Sequence, residues 1–438
     1  MSVAPAARLV GAAAAWSAAA VAVVLWPALW IAHAAALAVL AVLVVWDAAL
    51  LARRPPITAE RRLPPRAFVG RDAELTLALH NPGAEAVEVE VIDELPSDLA
   101  PTEPRLAGVR VAGGAALLLR QVVLPTLRGD RLLGPVLLLE RSPLGLLRRR
   151  GRAAAGAVLR VYPDASRFLR PEALDPRRVL AALGARPARR RGTGMEFESL
   201  RDYVVGDDPR RVDWAATARR GRLVTRLYQH ERNHTVLIAL DASRLMGGAI
   251  AGRTKLDHAI DAALALTFAA LGAGDRVGML VFDRTVRGTL APRAHRRHLG
   301  LFVELLRTAH TESVEPDYRA FARSIAVRQR ALVVVFTDFV EADPVMLIEP
   351  LAVLARRHRL LLVALRDPAY GRLAPDAPAV EEPLDLYRRL VVDELLRERE
   401  TTLGRLRRAG LQTLDLVPEA VTAAVLNRYL ALRDAGDR

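Results

Sequence analysis

Residues able to do chemistry gather in two places along this chain of 438 residues. One is a charge-dense stretch in which Asp202, Asp207, Asp208, Arg210, Arg211, Asp213, Trp214, Thr217 and Arg219 crowd into a short window. Ordering so many opposite charges around one Trp costs side-chain entropy that only specific pairing offsets. Two uses fit: an ion-pair network that braces local structure, which the short spacing favours, or a recognition surface for a partner. Trp214 is expected to be a buried anchor in either case. The other place is a pair of carboxylates following apolar runs, Asp241 after Thr235–Leu240 and Asp338 after Ala331–Thr337. Ser243 lies two residues beyond the first. In its plainest role, Asp241 and Ser243 cap the next turn through backbone N–H groups.

Those acids need a scaffold, and the pattern after Asn233 supplies one. Apolar runs at Thr235–Leu240, Arg276–Phe282, Val286–Leu290, Ala331–Thr337, Leu360–Leu365 and Leu411–Leu416 alternate with helical stretches. The helices are expected at Lys255–Leu271, Arg293–Thr308, Tyr318–Arg328, Pro344–His358, Leu384–Arg408 and Pro418–Arg433. Continuous Val/Leu/Ile runs mean strands buried on both faces, hence an α/β domain with a doubly wound, mostly parallel sheet. Ligands in such sheets gather beyond the carboxyl ends of the strands, which is where Asp241 and Asp338 fall.

Upstream the pattern differs. From Pro55 to about Asp164, segments such as Glu74–His80 and Val87–Ile92 alternate polar and apolar residues, as half-buried strands do. Val109–Val111, Ala115–Val123 and Pro135–Leu139 read as further strands of a small β-sandwich. Before Pro55, Leu9–Leu51 contains no Arg, Lys or Glu, and Pro27 divides it between Trp26 and Trp30. Each half approaches the ~20 residues that cross a bilayer. Arg8 before and Arg53 and Arg54 after place both outer ends in the cytoplasm, a two-helix transmembrane hairpin. Asp47, near its end, is expected to reach interfacial water. The resulting plan is a hairpin at 1–54, a β-sandwich at 55–165, a linker carrying the charged motif at 166–232, and an α/β domain at 233–438. Within the linker, Pro171–Gly184 is helix-rich and Arg186–Gly194 is Arg-rich.

Composition narrows the classes. The absence of Cys excludes disulfides and thiolate metal sites. Net charge is +14, almost all of it from Arg, and Lys255 is the only lysine. Clusters such as Arg148–Arg150 suit a solvated surface beside a membrane; with no aromatic stacking platform, no specific nucleic acid is expected. His230, His234, His258, His295, His298, His310 and His358 show no metal-binding spacing.

The charged window also carries a resemblance. Glu196, Leu200, Arg201, Tyr203, Gly206, Asp207, Asp208, Arg210, Asp213, Trp214, Thr217, Ala218 and Arg219 keep the spacing of the bacterial family called domain of unknown function 58 (DUF58), with Val212 for its usual Ile. In that family the motif leads into a von Willebrand factor A-like domain. The phrases between Val122 and Tyr162 resemble the same family.

The resemblance implies a metal-ion-dependent adhesion site, in which a D-x-S-x-S loop, a Thr and an Asp surround one Mg²⁺. Asp241, Ser243 and Asp338 match that set. Leu245 stands where a second Ser belongs, and Pro316-Asp317-Tyr318 replaces a family-like T-D-L, leaving Asp317 as a possible oxygen and Thr311 as a weaker one. A hard cation held by so few ligands binds poorly, so the site is expected to be degenerate, with Mg²⁺ weak or absent. A working Mg²⁺ site is the alternative.

Family resemblance further implies partnership with a MoxR-type AAA+ ATPase in assembling or maturing other proteins. The expected function is therefore a non-enzymatic, membrane-anchored cytoplasmic scaffold, with the lipid bilayer and that ATPase as partners. The competing class is a Mg²⁺-dependent hydrolase using Asp241, Asp338 and Asp317. The sequence offers it no phosphate-cradling Gly-rich loop and no nucleophile motif.

Overall fold

The computed structural model describes residues 2–99, 105–164, 196–204, 212–229, 234–339, 344–372 and 383–435. The chain forms two compact units, Met1–Tyr162 and Pro163–Arg438. The helix-rich Pro171–Gly184 and Arg-rich Arg186–Gly194 expected from the sequence lie outside the described residues.

The N-terminal unit opens with strand β1 (Ser2–Pro5) and two apolar helices, α1 (Ala7–Leu25) and α2 (Trp30–Arg53). A 3-10 turn at Pro27–Leu29 reverses the chain between them. Pro27 suits that turn because its φ is preset and it has no N–H to leave unpaired. Both helices are long and apolar enough to cross a membrane, by length and composition alone.

Ten strands follow: β2 (Thr58–Arg62), β3 (Ala67–Phe68), β4 (Ala73–His80), β5 (Val87–Asp93), β6 (Arg105–Val111), β7 (Ala116–Val123), β8 (Gly129–Leu133), β9 (Val136–Arg141), β10 (Leu147–Ala154) and β11 (Ala157–Tyr162). They make sheets of order β1-β10-β9-β5-β6, β2-β4-β7 and β3-β11-β8. Strand β4 shows why they pack. Its alternate residues Ala73, Leu75, Leu77 and Leu79 are all buried, the last two in a core with Val89, Val91 and Leu138, the first two in one with Val123, Leu159 and Val161.

Both outer ends of the helical pair meet the same five-stranded sheet. β1 pairs antiparallel with β10, with Ser2 opposite Arg150 and Pro5 opposite Leu147, and α1 starts two residues later. At the other end, Arg149 of β10 caps α2. Its guanidinium donates to the carbonyls of Leu51 (3.2 Å), Arg54 (2.8 Å) and Pro55 (3.2 Å), while its Nε donates to Glu140 (3.0 Å). Carbonyls at a helix end have no partner within the helix, and here a buried side chain supplies one. Asp47 sits a turn earlier. It accepts from the backbone N–H groups of Leu144 (2.9 Å) and Leu146 (3.1 Å) and from the Ser142 hydroxyl. The expectation of a water-reaching Asp47 is corrected: the carboxylate is buried, because a loop of the strand domain folds over it. The Arg148–Arg150 cluster is likewise not a plain solvated patch, since Arg149 points inward between its outward neighbours.

The C-terminal unit starts with a two-stranded ribbon, β12 (Glu196–Asp202) and β13 (Val224–Gln229), with α3 (Trp214–Arg220) between them. Next come β14 (Thr235–Asp241), a small hairpin of β15 (Ala249–Ile250) and β16 (Arg253–Thr254), α4 (Lys255–Gly272), β17 (Arg276–Phe282), β18 (Val286–Arg293), α5 (Leu299–Thr308) and α6 (Tyr318–Ser324). The chain finishes with β19 (Leu332–Thr337), α7 (Pro344–Ala355), β20 (Arg359–Leu365), α8 (Pro368–Arg372), α9 (Pro383–Arg408), β21 (Gln412–Leu416) and α10 (Pro418–Ala435).

The main sheet has the order β18-β17-β14-β19-β20-β21, with only the edge strand β18 antiparallel. Helices cover both faces: α4 packs with α10 on one, and α6, α7 and α9 share a core on the other with Leu237, Val335 and Leu362. The order reverses beside β14, so the connections leaving its carboxyl end and that of β19 part there. That edge places Asp241, Asp338 and their neighbours.

Candidate functional site

Asp241 ends β14 and Asp338 directly follows the adjacent parallel strand β19, and both are buried. Every oxygen of the pair is already in use. Asp241 Oδ1 accepts from the Ser243 N–H (2.8 Å), the short turn that makes room for the 3-10 helix Arg244–Met246. Its Oδ2 accepts from the Thr337 hydroxyl (2.6 Å) and lies 3.4 Å from the Tyr318 hydroxyl, which is itself hydrogen-bonded to Thr337 Oγ1 (2.8 Å). Asp338 Oδ2 takes the Lys255 ammonium, while Oδ1 takes Arg399 Nη1 and the Phe339 N–H (2.8 Å). Arg399 then reaches Asp415 through Nε (2.9 Å) and Nη2 (2.7 Å), and lies over the Phe339 ring at 4.8 Å.

Electrostatics follow from burial. Desolvation raises the Asp241 pKa to about 6, with the hydrogen bonds from Thr337, Ser243 and Tyr318 opposing it. Burial and the adjacent Asp241 charge push the Tyr318 hydroxyl well above its ordinary value, so it is a fixed donor. For Arg399, desolvation works against the charge, yet Asp338 and Asp415 outweigh it and its pKa is raised.

Of the remaining expected ligands, Ser243 stays beside Asp241, while Asp317 is used elsewhere. Ser243 accepts from the Leu245 N–H (3.4 Å) as the cap of its 3-10 helix. Asp317 caps α6, accepting from the N–H groups of Arg319 and Ala320 (2.9 Å each). Leu245 is buried and has no ligand atom. These residues do not fit a divalent cation: Asp338 is matched by two side-chain cations, and Asp241 is saturated by donors. Among the described residues, no group of three or more His, Cys, Asp or Glu could hold a metal ion. Sequence reasoning missed Thr337, Tyr318, Lys255, Arg399 and Asp415. Lys255 alone had a signal, as the single lysine of an Arg-rich chain.

The charged motif splits into two roles. Asp213 is the N-cap of α3, accepting from the Ala216 N–H (3.0 Å), and its own N–H donates to the Val224 carbonyl (2.8 Å). Thr217 Oγ1 accepts from the Val224 N–H (3.1 Å), and Gly221 ends the helix at φ 67°, a conformation suited to glycine. These contacts clip α3 onto β13. Trp214, by contrast, is 68% exposed. The expectation of a buried anchor is corrected. Asp213 already fixes the start of the helix, and the first helical position of so short a segment faces solvent.

Leu223 and Val204 are exposed in the same ribbon, where Tyr203 N–H donates to the Leu223 carbonyl (2.9 Å). Arg219, Arg220 and Arg222 are exposed as well; Arg222 pairs with Asp202 (2.9 Å) and Arg219 Nε donates to the Ala215 carbonyl (3.2 Å). Arg201 Nη1 donates to the Asp202 carbonyl (3.3 Å). Glu196 starts β12 opposite Gln229. Asp207, Asp208 and Arg210 lie outside the described residues.

Comparison with known proteins agrees with the resemblance carried by the motif. The family described as "Protein of unknown function DUF58" matches residues 199–383. Proteins named Rv1480 from Mycobacterium tuberculosis and Mb1516 from Mycobacterium bovis, both termed uncharacterized, are each 28% identical over 263 residues, spanning 56% of this chain and 81% of theirs. Among solved structures, Escherichia coli alpha-2-macroglobulin aligns over 25% of this chain and 7% of its own, at 19% identity and a TM-score of 0.20. The CARDB domain of the Pyrococcus furiosus PF1109 protein aligns over 25% of this chain and 90% of its own, at 15% identity and a TM-score of 0.19. Structural likenesses at that level carry no argument about fold or function.

Proposed function

We propose that this chain is a membrane-anchored binding protein that presents the α3 surface, centred on Trp214, to a partner in the cytoplasm. The observation that carries the reading is the exposure of Trp214 on a helix whose other motif residues are spent holding it in place. A large aromatic ring left in water beside exposed Leu223 and three arginines has the composition of an interface anchor. The partner class is the one the family resemblance implies, a MoxR-type AAA+ ATPase, and the domain behind the ribbon is read as von Willebrand A-like. The hydrolase alternative draws nothing from the strand-end geometry, where the carboxylates it needs are engaged with internal donors.

The anchor is the α1–α2 hairpin, with both termini cytoplasmic, a reading supported by Arg8, Arg53 and Arg54 at its ends. The chain has no Cys, and a side chain at Gly371 would meet nothing within 4 Å, so Gly371→Cys provides a clean topology probe. It should resist an impermeant maleimide in intact cells and react after lysis; labelling without lysis would overturn the topology. The decisive test of function is co-purification of the full chain from solubilised membranes. An AAA+ ATPase recovered with the wild type should be lost with Trp214→Ala while the melting temperature is unchanged. Recovery of that ATPase with both proteins, or with neither, defeats the proposal.

A further inference from the structure

We infer that the Lys255 ammonium, seconded by the Arg399 guanidinium, does the work of the divalent cation at the strand ends, making this edge a metal-independent ionic clasp between the two helical layers. Lys255 opens α4 on one face of the sheet and Arg399 lies in α9 on the other, and both converge on the Asp338 carboxylate. Both cations and the carboxylate are buried. Asp415 of β21 completes the chain of charges from the far side of Arg399.

The choice of residue argues for the role. Among 63 basic residues the chain uses lysine once, and that one lysine is here. A lysine ammonium is a compact point charge on a flexible stem, the nearest thing a side chain offers to a small cation. A guanidinium is a planar fork that needs more room. The room is indeed tight: a Cβ at Gly248 would come within 3.3 Å of Lys255 Cε and 3.8 Å of Nζ. Gly248 also accepts the Lys255 backbone N–H (2.9 Å), so the glycine both seats the residue and clears its side chain. A divalent cation at Asp338 would have to displace that ammonium.

The test uses full-length protein in detergent, melted with and without Mg²⁺ and Mn²⁺. Wild-type protein should show the same melting temperature up to millimolar cation. Lys255→Ala should melt lower and recover part of the loss when Mn²⁺ or Mg²⁺ is added, because the deletion leaves a buried carboxylate for the ion to neutralise. Lys255→Arg should fail to restore wild-type melting. Should Lys255→Ala not fold, the pair Lys255→Met and Asp338→Asn decides: losses from the two single changes should exceed that of the double change. The inference falls if submillimolar Mg²⁺ raises the wild-type melting temperature and Asp241→Ala abolishes the rise. Additive losses in the Lys255/Asp338 pair would overturn it as well.

Discussion

The strand-end edge and the α3 ribbon are both dense in charge, yet they use it in opposite ways. At the edge, Asp241, Asp338, Lys255 and Arg399 are turned inward, and each oxygen of Asp241 and Asp338 meets a donor of the same chain. On the ribbon, the side chains of Asp213 and Thr217 are used for local geometry, and Arg219, Arg220, Arg222 and Trp214 face solvent. The contrast teaches that acids at the carboxyl ends of parallel strands are a place to look for a ligand, and that their partners decide whether one is needed. Carboxylates already engaged by internal donors serve the architecture, whereas the ribbon leaves an aromatic ring in solvent on an ordered scaffold.

The largest effect that could break this contrast lies at Arg399. Removing it as Arg399→Met leaves Asp338 and Asp415 short of a counter-charge in a buried place, which should cost about 3–5 kcal/mol in chemical denaturation. A loss under about 1 kcal/mol, the range of exposed ion pairs, would mean the edge is wetter and more open than the clasp requires.

The next effect is one of pH. Asp241 has a folded pKa of about 6 against 3.8 for the unexposed-to-burial reference, so the folded state holds its proton more tightly. Its contribution therefore lowers stability as pH rises from about 4 to about 6, by roughly 3 kcal/mol at most, and is constant above that. Asp275, whose pKa burial also raises, adds a contribution of the same sign. Asp241→Asn should flatten the part of the stability–pH curve that Asp241 causes, measured by denaturant melts across that window. An unchanged curve would show that Asp241 is better solvated than its burial implies.

Smaller effects belong to the ribbon. Asp213→Ala removes the cap of α3 and should cost about 1 kcal/mol locally, read as faster amide exchange at Ala216, whereas Asp213→Asn should cost a fraction of that. Trp214→Ala should change global stability by less than about 0.5 kcal/mol, as for an exposed residue with no structural duty. A loss of several kcal/mol at Trp214 would erase the distinction between the two regions, because the ring would then be part of a core.

The parts of this molecule that were legible in its sequence are those governed by local pattern. Runs such as Leu332–Thr337 and Arg359–Leu365 are buried on both faces, so their strands emerge within a residue or so of the apolar run, and Asp241 and Asp338 are placed correctly at the strand ends. What surrounds those acids was not legible. Lys255 lies 83 residues from Asp338 and Arg399 lies 61 away, and no local spacing encodes such pairings. Strand β10 was missed because its Leu-Arg-Arg-Arg-Gly-Arg sequence hides the period of two; the inward position is taken by Arg149, whose function is to cap a helix. Strand β1 is four residues with no alternation, and only its partner makes it a strand. Trp214 failed for a different reason: burial of aromatic residues is an average tendency, and the exposed first position of a short helix is where it lapses here.

The pairing of β1 with β10 also sets an order of events during synthesis. Ser2–Pro5 can find its partner only after Leu147–Arg150 has left the ribosome, about a whole domain later. Until then Ser2–Pro5 has no partner strand, so the five-stranded sheet gains this edge only after α1, α2 and most of the strand domain have been made. A closure of such long sequence separation is slow relative to local folding. Severing the chain after α1 would therefore strip an edge strand from a finished sheet, and a bulky fusion before Ser2 would delay the last step of the fold rather than decorate its surface.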